Sequence, residues 1–294
     1  MKYNIHNILK IDSDLEIFPK YFEGNFENAD LVIRKGDIKI DKKKYKRFSL
    51  KFWGKKNELY FESYFYGFPL NKILIKNLKE LYYLKNSNRY NIVGIARFLF
   101  EINLLKKGCT LVHAGAVEKD NKGYLIVALA EGGKSTATLN LGLSGGKILG
   151  DDMVIISEKG QIYSLIDEIR IYSGSEILNK LNLSKKKKLE SKIRYLASKI
   201  SPLHWVIDAN LTLDSKYFKM AKQAKINDII ILPENEKRDK ETLVNILLAS
   251  TLSLFNEKFP NRIFQAYCLI NGIDPTFFVR QIKEVISRAV NSIK

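Results

Sequence analysis

A glycine-lysine-serine loop is the feature of this 294-residue sequence best suited to chemistry. The apolar segment 123–127 leads into Ala128-Leu129-Ala130-Glu131-Gly132-Gly133-Lys134-Ser135, and a helical pattern follows. Such a loop places backbone N–H groups and the positive end of a helix around phosphate oxygens. It meets the pattern Gly-x-x-x-x-Gly-Lys-Ser/Thr except that Ala128 replaces the first glycine. A chance Gly-Gly-Lys-Ser in a lysine-rich chain is the alternative, but strand, loop and helix follow in the order that phosphate binding needs.

The side chains of this loop have separate predicted roles. Lys134 would neutralise the β- and γ-phosphates of a nucleotide, and the Ser135 hydroxyl would ligate Mg²⁺. We expect phosphate contacts from the whole loop and the first helical turn, namely Ala130, Glu131, Gly132, Gly133, Lys134, Ser135 and Thr136.

Two adjacent carboxylates form a second candidate site. Asp151 and Asp152 follow Lys134 by seventeen and eighteen positions and precede the apolar run 153–156. One could take a proton from an attacking hydroxyl while the other helps to hold the metal. An Asp-Asp pair alone is common in turns, but its position after the phosphate loop favours a catalytic role. His113 lies in an apolar strand before the loop, where a lone histidine is more often a structural core residue.

The hydrophobic pattern predicts which elements position these residues. It indicates a β-rich part followed by an α/β part with mixed strands, which we divide into a basic region 1–90 and a domain 91–294. The predicted elements are a hairpin around Gly36-Asp37, helices over 70–84 and 92–105, two strands around the turn 120–123, a helix from Ser135 to about Leu143, a strand over 147–156, strands within 161–172, a long helix over 176–200, a buried strand over 224–232, and helices around 239–257 and 275–293.

Net charge points to the kind of partner. The chain has 49 Lys+Arg and 32 Asp+Glu, a formal net charge of +17. Residues 1–108 carry +10, 109–180 carry −2 and 181–294 carry +9, so the basic excess flanks the candidate site. Such flanks favour a polyanionic partner, although a solvated lysine-rich surface gives the same numbers.

The apolar runs are too short to span a bilayer and the start lacks a signal-peptide pattern, so we expect a cytoplasmic protein without membrane partners. Cys109 and Cys268 are predicted to be buried thiols.

The segment 113–156 resembles the core of the HPr kinase/phosphorylase family, whose phosphate-loop fold is related to phosphoenolpyruvate carboxykinase. The resemblance rests on His113-Ala114-Gly115-Ala116-Val117, Lys134-Ser135-Thr136, Leu139, Gly146 and Leu149-Gly150-Asp151-Asp152. It implies an ATP- and Mg²⁺-dependent phosphotransferase with an α/β (α+β) fold.

The resemblance also implies a role for each matching residue. Asp151 would be the general base, Lys134 would bind the transferring phosphate and Ser135 the metal. His113 would line the phosphate site, and Asp152 would support the metal. The family's downstream metal-binding glutamate has no clean match here; Glu176 and Glu168 are both candidates.

The sequence leaves open which class of molecule supplies the acceptor hydroxyl. A ribose 2′-hydroxyl of RNA, with tRNA as the expected class, suits the basic flanks and archaeal relatives of this kind. A protein serine, as in the bacterial relatives, and a small molecule are alternatives, as is an RNA-binding module with a relic nucleotide site. The resemblance is also compatible with a homo-oligomer. The candidate RNA contacts are Lys42, Lys43, Lys44, Lys46 and Arg47, interleaved with Tyr45, Phe48, Phe52 and Trp53, and Lys185, Lys186, Lys187 and Lys188. Aromatic residues that face the core beside merely solvated lysines would give the same pattern.

Overall fold

The computed structural model describes residues 1–65, 68–85, 87–129, 132–166, 168–200, 208–233, 238–256 and 258–293. These residues form mixed β-sheets and six α-helices, which confirms the predicted α/β class. The chain divides into two compact units, Met1–Thr110 with Thr251–Val285 and Leu111–Ser250 with Ile286–Lys294. The first unit therefore includes more of the chain than the region 1–90 inferred from the sequence. No helix in the described ranges is long and apolar enough to span a membrane.

The helices and strands are numbered in chain order. They are β1 (Lys2–Ile5), β2 (Leu9–Ser13), β3 (Leu31–Lys35), β4 (Lys46–Arg47), β5 (Phe52–Lys55), β6 (Glu58–Phe65), β7 (Phe68–Lys76), β8 (Glu80–Tyr83), α1 (Arg89–Leu105), β9 (Cys109–Val112), β10 (Gly115–Lys119), β11 (Lys122–Val127), α2 (Lys134–Leu143), β12 (Lys147–Gly150), β13 (Val154–Ser157), β14 (Gln161–Tyr163), β15 (Glu168–Tyr172), α3 (Lys185–Lys199), β16 (Asn210–Asp214), β17 (Gln223–Ile231), α4 (Lys240–Ser253), α5 (Lys258–Asn271) and α6 (Thr276–Asn291).

An eight-stranded sheet forms the β-rich part of the first unit, in the order β1-β2-β3-β8-β7-β6-β5-β4. β3 pairs in parallel with both β2 and β8, and the other neighbours are antiparallel. α1 begins at Asn88, whose side chain accepts a hydrogen bond from the Tyr90 N–H at 2.9 Å, as an N-cap residue does. It packs against α5 through Phe98 and Phe264, whose ring centroids are 4.7 Å apart. Apolar burial on this sheet and helix holds the unit together.

A seven-stranded sheet carries the candidate site, in the order β12-β10-β11-β17-β14-β13-β9. β11 is antiparallel to β10 and parallel to β17, so the strand before the glycine-rich loop lies inside the sheet. α2 packs on β10, β11 and β12, and β15 of the separate antiparallel pair β15–β16 packs on α2. Their apolar side chains, including Leu139, Ile148, Ile169 and Leu213, form one buried cluster that fixes the start of α2.

Two strands replace the predicted helix over 70–84. The prediction was wrong because Ile73, Leu74 and Ile75 are buried on both faces of β7, which produces apolar spacings that a helix shares. Asn77 and Leu78 have positive φ angles of 53° and 54° and form the turn to β8, a conformation that a helix does not contain.

Two other strand predictions need correction. The expected hairpin around Gly36-Asp37 does not form, because β3 ends at Lys35 and takes both of its partners in parallel from other segments. Ile38 instead packs into a small cluster with Trp53 and Tyr60. The strand expected over 147–156 is two strands, β12 and β13, and the candidate carboxylates lie in the bend between them.

The helix predictions also differ in detail. The long helix over 176–200 is a 3₁₀ helix, Glu176–Lys180, followed by an extended segment and α3. Leu181 and Leu183 are buried two residues apart, which suits extended backbone, and the Ser184 side chain caps α3. The sequence also missed α5, which carries Pro260 in its first turn, where proline is tolerated. Cys109 and Cys268 are buried and form no disulfide, as predicted.

Candidate functional site

The glycine-rich loop joins β11 to the first turn of α2. The Gly132 N–H donates to the Leu129 carbonyl at 2.9 Å, while Ala130 and Glu131 lie outside the described residues. Gly133 precedes the helix with φ of 85°, a left-handed conformation that glycine adopts without strain. The backbone N–H groups at the start of α2 lack intrahelical partners and favour an anion.

Lys134 is the first residue of α2 and has only 9% of its surface exposed. Its Nζ lies 3.1 Å from Oδ1 of Asp152, and Nε2 of His113 lies 3.7 Å from the same oxygen. The His113 carbonyl accepts a hydrogen bond from the Ser250 hydroxyl at 2.8 Å, which holds the segment between β9 and β10. The structure therefore brings together three of the predicted catalytic residues around one carboxylate oxygen.

Asp151 has a different environment from its neighbour. Its side chain is buried, and Oδ2 accepts the Arg170 backbone N–H at 3.3 Å. Burial raises the pKa of Asp151 to about 6, aided by the Asp152 charge and opposed by hydrogen bonding from Ser135 and Arg170 and by the Lys134 charge. The Asp152 side chain is exposed, and hydrogen bonding from His113 together with the Lys134 charge holds its pKa well below the usual range.

Adjacent carboxylates with pKa values pushed in opposite directions can divide acid–base work between them. Asp151 can take up and release a proton near neutral pH, whereas Asp152 stays ionised and can hold a cation. This division agrees with the predicted role of each residue.

The oxygen atoms around Asp151 suit Mg²⁺. Its Oδ1 is shielded from solvent and lacks a well-aligned hydrogen bond among the described residues. The Ser135 side chain interacts with the same carboxylate, and the Asp152 carboxylate is adjacent. Hydroxyl and carboxylate oxygens are the ligands that Mg²⁺ prefers. The Ser135 hydroxyl and the Asp152 carboxylate thus fit the ion beside Asp151, although the described residues contain no group of three or more His, Cys, Asp or Glu side chains arranged around a metal.

Glu176 is not gathered with the two aspartates in any such group. It is exposed at the start of the 3₁₀ helix Glu176–Lys180 and lines a cavity between that helix and α3. Glu168, the other candidate, is exposed on β15. Thr136 is half-buried in the first turn of α2.

Two supporting residues, Arg170 and Thr138, were not predicted from the sequence, and Gly115 was given no packing role there. Arg170 contributes its backbone N–H to Asp151 and pairs its guanidinium with Asp208. Gly115 on β10 faces Thr138 on α2, and a Cβ atom at Gly115 would overlap Oγ1 of Thr138. The alternation of charged and apolar residues in β15 indicates a strand and could have placed Arg170 on it. The close approach of α2 to β10 has no comparable sequence signal.

The first basic segment is partly committed to internal contacts. The Lys42 ammonium pairs with buried Glu62 and lies 4.4 Å from the centroid of the Trp53 ring. The Arg47 guanidinium lies 5.6 Å from the same ring, which is itself buried. Trp53 thus faces the core, the alternative that the sequence left open. The exposed side chains of this segment include Lys43, Lys44, Lys46, Arg47 and Phe48.

The second basic segment is the first turn of α3. Lys187 pairs with Glu190 at 3.1 Å and donates to the Thr212 carbonyl at 3.0 Å, so it supports the β16 strand. The side chains of Lys185, Lys186 and Lys188 are exposed. Three of the four predicted contacts are therefore accessible to a polyanion.

Comparison with known proteins does not assign the chain to a family. No protein-family model matches the sequence, and no curated protein matches it significantly. The function must therefore be argued from the site itself.

Proposed function

We propose that this protein is an ATP- and Mg²⁺-dependent kinase with a phosphate-loop core of the HPr kinase type. The observation that carries the proposal is the environment of Asp151, a buried carboxyl group whose pKa is raised to about 6 and whose neighbours are Ser135 and Lys134 at the start of α2. A base with a pKa near the working pH transfers protons most effectively.

The residues of the site would divide the reaction between them. The loop amides and Lys134 bind and orient the γ-phosphate, and the Asp151 carboxylate accepts the proton of the acceptor hydroxyl. The acceptor oxygen forms a bond to phosphorus as the bond from phosphorus to the β,γ-bridging oxygen breaks, and ADP leaves. Mg²⁺ held by Ser135 and Asp152 would neutralise charge on the phosphates. Positioning and charge stabilisation supply most of the catalysis in such reactions.

Lys134 would change partners when ATP binds. In the structure its ammonium pairs with Asp152 at 3.1 Å, a distance typical of a charge-assisted hydrogen bond. A nucleotide phosphate offers the same ammonium more negative charge than one carboxylate. Asp152 would then be released toward the metal, which agrees with its exposed side chain.

We propose RNA as the acceptor, with a ribose 2′-hydroxyl of tRNA as the reacting group. The support is the net charge of +17 and the exposed lysines of both basic segments. Lysine–phosphate contacts release counterions, so RNA binding should weaken steeply as salt concentration rises. A protein serine or a small-molecule hydroxyl would not require this salt dependence.

The test is transfer of label from [γ-³²P]ATP to separate pools of total RNA, total protein and small metabolites. We expect label in RNA, and its loss with Asp151→Asn; label confined to protein or metabolites would overturn the RNA assignment. No transfer to any pool, with ATP and Mg²⁺ present, would overturn the kinase itself. Lys134→Ala, measured by titration with a fluorescent ATP analogue, should abolish nucleotide binding.

A further inference from the structure

A second cavity lies beside the proposed active site and has no role in phosphate binding. It has a volume of about 410 Å³, within the roughly 300 to 1,000 Å³ of small-ligand pockets. Its walls are the segment after β15, the 3₁₀ helix Glu176–Lys180 and one face of α3. β15 also carries Arg170, whose N–H binds Asp151. Ser173 in the cavity wall is three residues further on, so the cavity begins roughly 10 Å along the chain from that contact.

One face of α3 gives the cavity a positive rim. Lys188 and Lys192 are one turn apart and both line it. Glu190 pairs with Lys187 at 3.1 Å and with Arg194 at 3.0 Å. Lys188 and Lys192 have no ion-pair partner in the part of the chain that the structure describes. The rim therefore presents two uncompensated ammonium groups to a ligand.

The other walls are not suited to an inorganic anion alone. Tyr195 lies one turn beyond Lys192 on the same face, and 39% of its surface is exposed. Glu176 and Asn179 line the opposite side, where a carboxylate would repel a simple anion and accept hydrogen bonds from hydroxyl groups. A ligand with a negative group, a planar ring and hydroxyl donors would complement these walls.

A ribonucleotide has this combination. We propose that the cavity binds one ribonucleotide unit, with its phosphate on Lys188 and Lys192, its base against Tyr195 and its ribose hydroxyls toward Glu176 and Asn179. The inference that this unit belongs to the acceptor strand rests on the proposed function. The unit can come from an RNA strand or from a free mononucleotide, which share this chemistry.

The test compares binding of a fluorescein-labelled RNA hexamer, by anisotropy, to the full chain and two double variants. Lys188→Glu/Lys192→Glu reverses the charge of the rim. Lys219→Glu/Lys222→Glu makes the same change of charge at two exposed lysines outside the cavity. We expect the rim variant to bind about tenfold more weakly and the control to lose less than about threefold. Tyr195→Leu should weaken binding about fivefold through lost stacking. Equal losses in both double variants, or no loss in either, would overturn the proposal.

Two further binding measurements identify the source of the ribonucleotide unit and test whether ribose is required. Displacement of the hexamer by AMP that depends on Lys188 and Lys192 indicates a site for free mononucleotides, whereas cavity-dependent RNA binding without displacement indicates a strand site. A DNA hexamer that binds as tightly as RNA overturns the ribose assignment. Binding of a fluorescent ATP analogue, with Lys134→Ala as the negative control, is measured in the same proteins. It separates failure of this cavity from failure of the phosphate loop.

Discussion

The Lys134 ammonium lies 3.1 Å from Oδ1 of Asp152, at the first turn of α2. A buried ammonium without a counter-ion is costly, so this carboxylate stabilises the lysine before any nucleotide is present. The same oxygen is 3.7 Å from Nε2 of His113. Asp152 is thereby held ionised, which leaves its neighbour Asp151 as the carboxyl group able to change protonation state near neutral pH.

Asp151→Asn should reduce phosphate transfer about 10²- to 10⁴-fold because it removes the proton acceptor. ATP binding should change little, since the loop amides and Lys134 remain. Initial rates with labelled ATP and titration with a fluorescent analogue measure the two quantities. Glu158→Gln is the matched control, because Glu158 pairs with Arg288 through a partly exposed contact. A variant that retains turnover would remove Asp151 from the mechanism.

Stability should depend on pH through the same carboxyl group. The pKa of Asp151 is about 6 in the folded protein and 3.8 is its ordinary value. The folded chain therefore binds this proton more tightly than the unfolded chain does. The stability that results is fully present below pH 3.8 and is lost as the pH rises through 6. The difference corresponds to about 3 kcal/mol. Between pH 4 and 7.5 the free energy of unfolding, from urea titrations, should fall less for Asp151→Asn than for the wild type. Parallel pH curves would contradict the raised pKa.

Gly115→Ala should destabilise the second unit by about 1 to 3 kcal/mol, as overpacking does. The new methyl group would overlap Oγ1 of Thr138, and a shift of α2 that relieves the overlap would also move Lys134, so ATP binding should weaken as well. Gly36→Ala is the control, because no atom lies within 4 Å of a Cβ placed there. Thermal unfolding and nucleotide titration are the measurements. Equal stability of the two variants would show that α2 can shift away from β10 without cost.

Lys42 and Lys43 should behave differently despite being adjacent. Lys42→Gln removes the cation that pairs with buried Glu62, so we expect a loss of about 1 to 3 kcal/mol in stability. Lys43→Gln changes an exposed side chain and should leave stability unchanged while lowering the salt dependence of RNA binding. Urea unfolding and salt titrations of RNA affinity separate the two effects. Similar stability losses for both variants would contradict the assigned contact.

The second sheet and its glycine-rich loop were largely predictable because their signals are local. Asp120 and Asn121 adopt positive φ angles between β10 and β11, as the turn pattern indicated, and Gly-Gly-Lys-Ser leads into α2. The wrong helix prediction over 70–84 has a physical cause. A strand buried on both faces lacks the alternation of apolar and polar residues that distinguishes strands from helices.

The difference in environment between Asp151 and Asp152 could not be predicted from residue types and spacing, and only the resemblance implied separate roles for them. It depends on a backbone N–H from Arg170, on His113 and on burial, and these come from segments well separated along the chain. A pattern of residue types identifies carboxylates but carries no information on which one loses contact with water. The cavity beside α3 escaped prediction for the same reason.

The parallel pairing of β11 with β17 has a consequence for biosynthesis. Val127, which precedes the phosphate loop, is aligned with Ile231, about a hundred residues later. On the ribosome the loop's own residues emerge early, but the strand that supports them lacks one neighbour until β17 has been translated. Contacts of such long sequence separation form slowly. A nascent chain halted before Ile231 would therefore carry the complete glycine-lysine-serine sequence without the finished sheet beside it.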